Sequence, residues 1–506
     1  MACQQQTVDA LSTEHLHADL RGRSLRGGLL NVTSQGMQFL IQSIATIVLA
    51  RLLTPADFGL VAMVSTFTGL AQSFADLGLS EATIQRREIN HNQVSTLFWI
   101  NAAVGLGLTV ATVGFAPLIA HFYRDARLIN ITLLVSLTFL FGGFRVQADA
   151  LLKRQMRFQA IAVRDITSYA IAVPSAIIMA LQGFGYWALV ALPLILNFIV
   201  TALSWLMVKW RPIWPRWDSE VGSMLNFGSN VAASYFIVTV SRNMDNVLIG
   251  WYLGAGPLGL YSRAYNLLML PIRQLIFPVG NVAIPAFSRT QGDSERFARY
   301  YLRGVNLIIW VAAPVFAFLS VAAKPVILLV LGNQWKEATT VFQILVIAAL
   351  GQLFLESTIW LFVSRGQSKQ LLRLLLIVSL ALVGSYTVGL PFGIEGVALS
   401  GSVVLLFILP WILKFSFRGT DLTLMRLVRT IARPIGLSIG SACVAQLALF
   451  TISPQGIMPQ LLVITSVFVV FYAVSLFIPA VRYELVSLVI LLRQSRVLFF
   501  LETAKS

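Results

Sequence analysis

Cysteine, histidine and acidic residues are scarce in this chain of 506 residues, which has two Cys, four His and 21 Asp and Glu residues. Cys3 lies in a polar stretch and Cys443 in an apolar run, so neither a disulfide framework nor a thiolate metal site is expected. Phosphate loops of the GxxxxGKS or GxxxxGKT type and the zinc motif HExxH are missing. We therefore expect a protein that is not an enzyme, with no catalytic residue, metal or cofactor.

Charged residues of both signs make up only 11% of the chain, whereas 57% of it is hydrophobic. The apolar residues gather in runs of roughly 20, the length at which a helix crosses a bilayer, and strand-like alternation is absent. The sequence therefore predicts an all-α, polytopic membrane protein with about fourteen transmembrane helices. The predicted spans begin near Leu29, Phe58, Thr96, Leu128, Ala160, Trp187, Ser223, Leu258, Tyr301, Val341, Leu371, Val397, Pro434 and Gln460.

The net charge of +16 is explained by topology, because the basic residues lie mostly between apolar runs and form no soluble face for nucleic acid. Alternate connections are basic, as at Lys153, Arg154 and Arg157, whereas those between them, such as Gln182 to Gly185, are short and lack Lys and Arg. The positive-inside rule then predicts that the basic connections and both termini are cytoplasmic. The exceptions are Arg51, Arg124, Arg127, Lys324 and Lys336.

The chain carries a weak internal repeat with a spacing of about 200 residues. The turn after the first span, residues 53–60, resembles residues 253–260, which follow the seventh. Six-span halves of the same orientation predict two six-helix lobes in parallel repeat, related by an axis along the membrane normal, plus two extra helices. The predicted domains are a disordered cytoplasmic tail (1–25), an N-terminal lobe (26–215), a C-terminal lobe (216–420), helices 13 and 14 (421–480) and an amphipathic cytoplasmic tail (481–506). Pro325 to Leu331 is too short to span and is expected on the outer surface.

Two polar stripes occupy matching positions of the repeat. The first span carries Gln35, Gln38 and Gln42 at helical spacing, and the seventh carries Asn226 and Asn230. Interhelical hydrogen bonding and the lining of a wet cavity are equally consistent with this pattern.

Ionisable residues within spans are costly, so they mark candidate sites. Arg273 lies between Pro271 and Pro278 in the eighth span, where a broken helix would leave room for an anionic group. Arg242 and Arg263 are further candidates for substrate binding, although a structural pair of Asp245 with Arg263 is favoured over a ligand role for either.

A second charged cluster lies near the inner ends of spans four and five. It comprises Arg145 and Asp149 with Arg164 and Asp165, and an ion-pair network or snorkelling is favoured over a functional role. The candidates for coupling or gating are ionisable residues that are predicted within a span: Asp76, Asp245, Glu356, Arg145 and Arg164. Asp76 and Glu356 are equally consistent with protonated, hydrogen-bonded acids.

An ordered series of motifs resembles the bacterial polysaccharide-export flippases, in the Wzx-like branch typified by the colanic acid exporter. The matching stretches are residues 51–60, 74–79, 85–87, 98–101, 151–154, 245–250, 258–265 and 331–335, within a total coverage of roughly residues 25 to 420. The lipid II flippases resemble the chain in fold but carry charged residues in the first span. Here that span has only uncharged polar groups before Arg51, so their cationic positions are not transferred.

The resemblance implies the fold of the multidrug/oligosaccharidyl-lipid/polysaccharide (MOP) superfamily and an inner-membrane flippase. Such a protein would move an undecaprenyl-pyrophosphate-linked oligosaccharide by alternating access, for exopolysaccharide or O-antigen biosynthesis. Membrane lipid and the polymerase and glycosyltransferases of the same pathway are the expected partners, nucleic acid is not, and a monomer is expected. The alternatives are a cation-coupled multidrug exporter and, from another class, a membrane polysaccharide polymerase or ligase.

Overall fold

The computed structural model describes residues 20–72, 74–75, 79–86, 89–215, 243–290, 292–484 and 486. All repetitive structure within these ranges is helical, which confirms the predicted all-α class. The chain forms two compact units, Met1–Gly259 and Leu260–Ser506.

The first unit contains long helices joined by short turns. They are α1 (Leu20–Leu52), α2 (Pro55–Gln72), the short α3 (Leu79–Gln85), α4 (His91–Tyr123), α5 (Arg127–Arg154), α6 (Phe158–Leu181), α7 (Tyr186–Met207) and α8 (243–253). The next helix, α9 (Ala255–Ser288), begins in this unit and continues into the second.

The turn from α1 to α2 is fixed by reciprocal capping. The Asp57 carboxylate accepts hydrogen bonds from the Thr54 backbone N–H at 2.9 Å and from the Thr54 hydroxyl at 2.7 Å. Pro55 stands at the first position of α2, where its missing N–H costs nothing. Together these residues set a sharp, rigid reversal of the chain.

The turn from α4 to α5 explains why one of the basic exceptions, Arg127, is tolerated away from the basic connections. Arg124 ends α4 in the left-handed conformation at φ 57°. Arg127 donates to both carboxylate oxygens of Asp125, from Nε at 3.0 Å and from Nη2 at 2.6 Å, which holds the pKa of Asp125 below its ordinary value. The Arg127 charge is thereby neutralised locally.

Helices α4 and α5 approach each other through small residues. A Cβ built on Gly105 would lie 2.7 Å from the carbonyl oxygen of Phe139, and one on Gly143 would lie 2.6 Å from that of Asn101. Such contacts let two backbones pack closely where lipid supplies no hydrophobic driving force between helices. This hairpin contributes much of the core of the first unit.

The segment that leaves α7, residues 208–215, packs back across the start of α4, and we call it the α7 strap. The indole Nε1 of Trp99 donates to the carbonyl of Ile213 at 2.9 Å, and the Ile213 N–H donates to the Ser95 hydroxyl at 3.2 Å. The Trp99 and Trp214 rings stack with centroids 5.8 Å apart, and Trp210 is fully buried. The strap closes the end of the unit that carries the basic connections, hereafter the basic end.

The second unit is built around one deeply buried helix. Its helices after α9 are α10 (Ser294–Val321), the short α11 (Ala323–Val330), α12 (Ala338–Ser364), α13 (Ser368–Gly389), α14 (Gly393–Ser416), α15 (Leu424–Ile452) and α16 (Ile457–Ser475). Helix α12 packs against α10, α11, α13 and α14. It buries large side chains such as Phe342, Trp360 and Phe362, whereas α15 and α16 leave most of their apolar surface exposed. That exposure suits helices bathed in lipid.

Every predicted span that falls on described residues coincides with a helix, while the start near Ser223 lies outside them. Nine helical stretches of the described chain are long and apolar enough to cross a membrane, and the longest, Ser368–Ser416, covers both α13 and α14. The protein is therefore a multi-pass membrane protein. The count of fourteen and the predicted domain boundaries stay predictions, and the outer-surface position of α11 does too.

One expectation about the backbone was wrong. Helix α9 runs without a break through Pro271, Pro278 and Pro285, although the sequence predicted a broken helix around Arg273. A proline removes one backbone hydrogen bond and pushes against the preceding turn, and membrane helices accommodate this by small local adjustments. Arg273 therefore lies on continuous helix.

Candidate functional site

A network of charged and polar side chains joins four helices of the first unit, and Arg164 on α6 is its centre. The Arg164 side chain is only 7% exposed, and its Nη1 pairs with the carboxylate of Asp149 on α5. The same nitrogen donates to the hydroxyl of Ser204 on α7 at 2.9 Å, and Nε donates to Asp165 at 2.8 Å. One guanidinium thus holds two carboxylates and a hydroxyl.

Arg145 on α5 completes the charge balance. Its Nε lies 3.2 Å from Asp149, and its Nη1 donates to the side-chain carbonyl of Asn197 on α7 at 3.3 Å. The Ser204 hydroxyl also contacts Asp149, at 3.1 Å. Two arginines face two aspartates, so the network is formally neutral. That neutrality and the surrounding hydrogen bonds are what charged groups need in a medium of low dielectric constant.

Helix α1 joins the network through two glutamines. Gln38 Nε2 donates to Asp165 at 3.3 Å and to the Ser34 hydroxyl at 3.1 Å, and Gln42 Nε2 donates to the Tyr169 hydroxyl at 2.7 Å. Both contacts to α6 join residues 127 positions apart, one helical turn after the other. Helices α1 and α6 therefore run in the same direction, in register.

The network lies about two helical turns from the ends of α5 and α6 that meet at a basic connection. Arg145 precedes Arg154, the last residue of α5, by nine residues, which is about 13 Å of helix. Arg164 follows Phe158, the first residue of α6, by six residues, about 9 Å. Ionisable groups at such depth are costly and typically serve function or specific packing.

The structure brings together four of the residues that the sequence singled out as candidates: Gln38, Gln42, Arg145 and Arg164. The ion-pair interpretation of the charged cluster and the interhelical bonding of these two glutamines are confirmed. Gln35 lies on the same helix and is exposed. Whether the stripe also lines a wet cavity stays a prediction.

Three members of the network were not foreseen: Tyr169, Asn197 and Ser204. Asn197 and Ser204 are seven residues apart on the sixth span and so share one helical face. That spacing was a usable signal. Uncharged polar residues are common enough in spans, however, that it does not single them out.

The remaining candidates are distributed over both units. Asp245 is buried on α8 and accepts a hydrogen bond from the Asn246 N–H at 2.8 Å. Arg263 is partly buried on α9, and its pairing with Asp245 stays a prediction. Glu356 lies on the buried helix α12, where Gln352 Nε2 approaches its carboxylate at 3.4 Å. Arg273 belongs to α9, but its side chain lies outside the described residues, as do Arg242, Asn226, Asn230 and Asp76.

Near Gln352 the second unit contains a cavity of about 60 Å³, room for more than one water molecule. Tyr261, Tyr265, Tyr386 and Ser402 contribute to its wall together with apolar residues of α12 and α14. Within the described part of the chain, no group of three or more His, Cys, Asp or Glu residues is placed to hold a metal ion.

Long apolar helices, a buried charged network and two compact units define a helical multi-pass membrane protein. Its fold is similar to that of the lipid II flippase MurJ in an inward closed conformation, with a TM-score of 0.69 over 88% of this chain and 99% of that chain, at 13% identity. It is also similar to an inward-facing multidrug resistance MATE transporter of the MOP superfamily, with a TM-score of 0.56 over 78% of this chain and 99% of that one, at 14% identity.

The chain belongs to the polysaccharide biosynthesis protein family, whose model matches residues 48–340. It is 24% identical to the teichuronic acid biosynthesis protein TuaB of Bacillus subtilis, over 80% of this chain and 85% of that protein. It is 26% identical to the lipopolysaccharide biosynthesis protein WzxC of Escherichia coli, over 60% of this chain and 62% of that protein. The succinoglycan biosynthesis transport protein ExoT of Rhizobium meliloti is 26% identical over 63% of this chain and 64% of that protein.

Proposed function

We propose that the protein is a flippase that moves an undecaprenyl-pyrophosphate-linked oligosaccharide across the bacterial inner membrane, for exopolysaccharide or O-antigen biosynthesis. Membership in the polysaccharide biosynthesis family is the observation that carries this proposal. The names of the relatives support it, since one is a lipopolysaccharide biosynthesis protein and another a succinoglycan biosynthesis transport protein. The fold supports a transporter and is compatible with a lipid-linked substrate.

The proposed orientation places the basic connections and both termini in the cytoplasm. The alternation of basic and neutral loops supports it, and the pairing of Arg127 with Asp125 removes one exception. The protein is proposed to act as a monomer beside the polymerase and glycosyltransferases of its pathway. It binds lipid and substrate and catalyses no reaction.

The substrate head group dictates the chemistry of the site. A pyrophosphate that crosses hydrocarbon needs cationic partners, and Arg273 is the proposed principal one, assisted by Arg242 and Arg263. Amides accept hydrogen bonds from sugar hydroxyls and donate hydrogen bonds to them. This role is proposed for Gln35, Gln38 and Gln42 on the first span and for Asn226 and Asn230 on the repeat-related span. The polyprenyl chain stays in lipid while the two lobes alternate access.

The polar network gives α1 a fixed orientation against α6. Because Gln38 and Gln42 are bonded to Asp165 and Tyr169, rotation of α1 about its axis would break two hydrogen bonds within hydrocarbon. We propose that Arg145 and Arg164 act in gating by holding this register. The acids Asp76, Asp245 and Glu356 are the proposed candidates for coupling to an ion gradient.

A deletion strain tests the proposal. Loss of the gene should abolish surface polysaccharide and leave lipid-linked repeat units with their head groups on the cytoplasmic side, where a periplasmic glycan-binding probe does not reach them. Complementation by the wild-type chain should reverse both effects. Altered resistance to cationic dyes with normal surface polysaccharide would instead identify a multidrug exporter. Polymer formation by the purified protein from lipid-linked repeat units would identify a polymerase.

A further inference from the structure

Two glycines at matching positions of the internal repeat meet where α2 crosses the first turn of α9. Gly59 is the fifth residue of α2, and Gly259 is the fifth residue of α9. A Cβ built on Gly59 would lie 2.5 Å from the carbonyl carbon of Ala255 and closer still to its oxygen. A Cβ built on Gly259 would lie 2.7 Å from the carbonyl carbon of Pro55, again with the oxygen closer.

The contact is reciprocal. Position 59 of the repeat corresponds to 259, and 55 corresponds to 255, and each glycine touches the residue four places before the other glycine. The Cβ position of Gly259 also lies 3.1 Å from the Gly59 nitrogen, which puts the two glycines at the crossing point itself. Such a contact has local two-fold symmetry. All of it lies within the first unit, at the residues after which α9 enters the second.

No side chain fits at this crossing. Real Cβ atoms essentially never come within 3.0 Å of such backbone atoms, and the obstacle on each side is a helix backbone that cannot turn aside. Alanine at either position must therefore push α2 and α9 apart. Backbone carbonyls that face glycine Cα–H groups attract them only weakly. The two helix backbones therefore fit closely at the crossing, but only weak attraction holds them together.

The location distinguishes this crossing from the one between Gly105 and Gly143. That pair joins consecutive helices of one hairpin, which a short turn keeps together. Helices α2 and α9 are separated along the chain by the whole of α3 to α8 and belong to different halves of the predicted repeat. The crossing also lies at the end of the first unit opposite the basic end, which is the outer end in the proposed orientation.

We propose that the Gly59–Gly259 crossing is an outer clasp of the transport cycle, closed in this structure and opened when the head group leaves on the outer side. The rigid turn at Thr54 and Asp57 makes α2 move as a unit with the end of α1. The two glycines are positioning residues, since they set which access state is reached and touch no substrate. The role of the clasp in transport rests on the proposed function, whereas the geometry of the Gly59–Gly259 crossing does not.

The clasp is tested by labelling a buried cysteine with a membrane-impermeant maleimide added from outside. The reporter is Leu258→Cys in a Cys3→Ser, Cys443→Ser background, because Leu258 is fully buried beside the crossing. Met63→Cys, on α2 and 1% exposed, is the second reporter. Gly59→Ala and Gly259→Ala should each raise the labelling rate about tenfold, as expected when a minor open state becomes dominant.

Matched controls come from the same helices. Gly69→Ala on α2 and Gly256→Ala on α9 place a methyl group where nothing lies within 4 Å, and they should leave labelling unchanged. Gly143→Ala should lower thermal stability without raising the labelling rate, because its crossing is internal to a hairpin. This variant separates clasp opening from general destabilisation.

Each outcome supports or overturns the proposal that the Gly59–Gly259 crossing opens during transport. Labelling that is unchanged in both clasp variants overturns the proposal, and so does failure of both to insert while the controls insert normally, since the crossing would then be permanent packing. Faster labelling together with lost export supports the clasp. Faster labelling in a protein whose wild type moves no lipid-linked oligosaccharide would leave the clasp standing and remove the proposed function.

Discussion

Gln42 on α1 donates a hydrogen bond to the hydroxyl of Tyr169 on α6, with 2.7 Å between Nε2 and Oη. One turn earlier, Gln38 makes the equivalent contact to Asp165. The polar stripe of the first span is therefore engaged with a specific neighbour, and its register against α6 is set by two rungs.

A double-mutant cycle measures the Gln42–Tyr169 rung. Gln42→Leu and Tyr169→Phe each remove one partner without adding charge, and the coupling energy should be about 0.6 kcal/mol, typical of interhelical hydrogen bonds in membranes. Thermal unfolding of the purified protein in detergent provides the measurement. Strictly additive effects of the two substitutions would show that the hydrogen bond contributes nothing.

Arg164 should matter more to stability than Arg145, although both pair with Asp149. Arg164→Ala strips a buried partner from two carboxylates, and breaking a buried pair from one side costs about 3–5 kcal/mol. Arg145 is 26% exposed and leaves Asp149 with its other partners, so Arg145→Ala should cost about 1 kcal/mol. The comparison is made by thermal unfolding and by the amount of protein inserted.

Two related variants sharpen this test. Arg164→Lys keeps the charge but not the fork of donors, and it should recover only part of the lost stability. Equal destabilisation by Arg145→Ala and Arg164→Ala would contradict the central role of Arg164. If both were as stable as the wild type, the network would have no structural role.

The helices and the charged half of the network were predictable because lipid imposes simple rules. A bilayer fixes the length of each apolar run, and ionisable residues such as Arg145 and Arg164 are rare enough at depth that their clustering is visible in the sequence. The uncharged partners were not predictable in the same way. Recognising Tyr169 as the partner of Gln42 requires knowing that α1 lies beside α6, which no local pattern states.

The internal repeat and the prolines of α9 also show that a local sequence pattern does not determine the contacts or the course of a helix. The alignment of Gly59 with Gly259 identifies two similar turns, but nothing in either turn says that they touch each other. Around Arg273 the prolines favoured a broken helix, and the observed α9 is continuous because a proline costs one hydrogen bond and not the whole helix. Local propensity is outweighed there by the surrounding helical backbone.

Arg273 is the substrate-binding candidate with the clearest test. Arg273→Ala should abolish surface polysaccharide while the amount of membrane-inserted protein stays at the wild-type level, because a pyrophosphate would lose its main cationic partner. The adjacent Gln274 is exposed on the same helix, and Gln274→Ala is the matched control that should export normally. Wild-type polysaccharide from Arg273→Ala at normal protein levels would exclude an essential role.

The α7 strap allows the orientation of the protein to be tested together with its packing. Trp99 holds the strap through a hydrogen bond to Ile213 and through stacking on Trp214, so the Lys209–Trp210 bond should resist trypsin in the wild type. Stacking of this kind contributes about 0.5–1.5 kcal/mol, so Trp99→Ala and Trp214→Ala should speed cleavage of that bond about three- to tenfold. Mass spectrometry of the fragments identifies the bond.

Sidedness and a control complete this experiment. If the basic end is cytoplasmic, cleavage should occur in inside-out vesicles and not in intact spheroplasts. Trp251 is also partly exposed and stacked, on Phe122 at the opposite end of the first unit, so Trp251→Ala should leave the rate at Lys209 unchanged. Cleavage at Lys209 in spheroplasts would reverse the proposed topology, and with it the assignment of the Gly59–Gly259 crossing to the outer end. An effect of Trp251→Ala equal to that of Trp214→Ala would mean that trypsin reports global unfolding and not release of the strap.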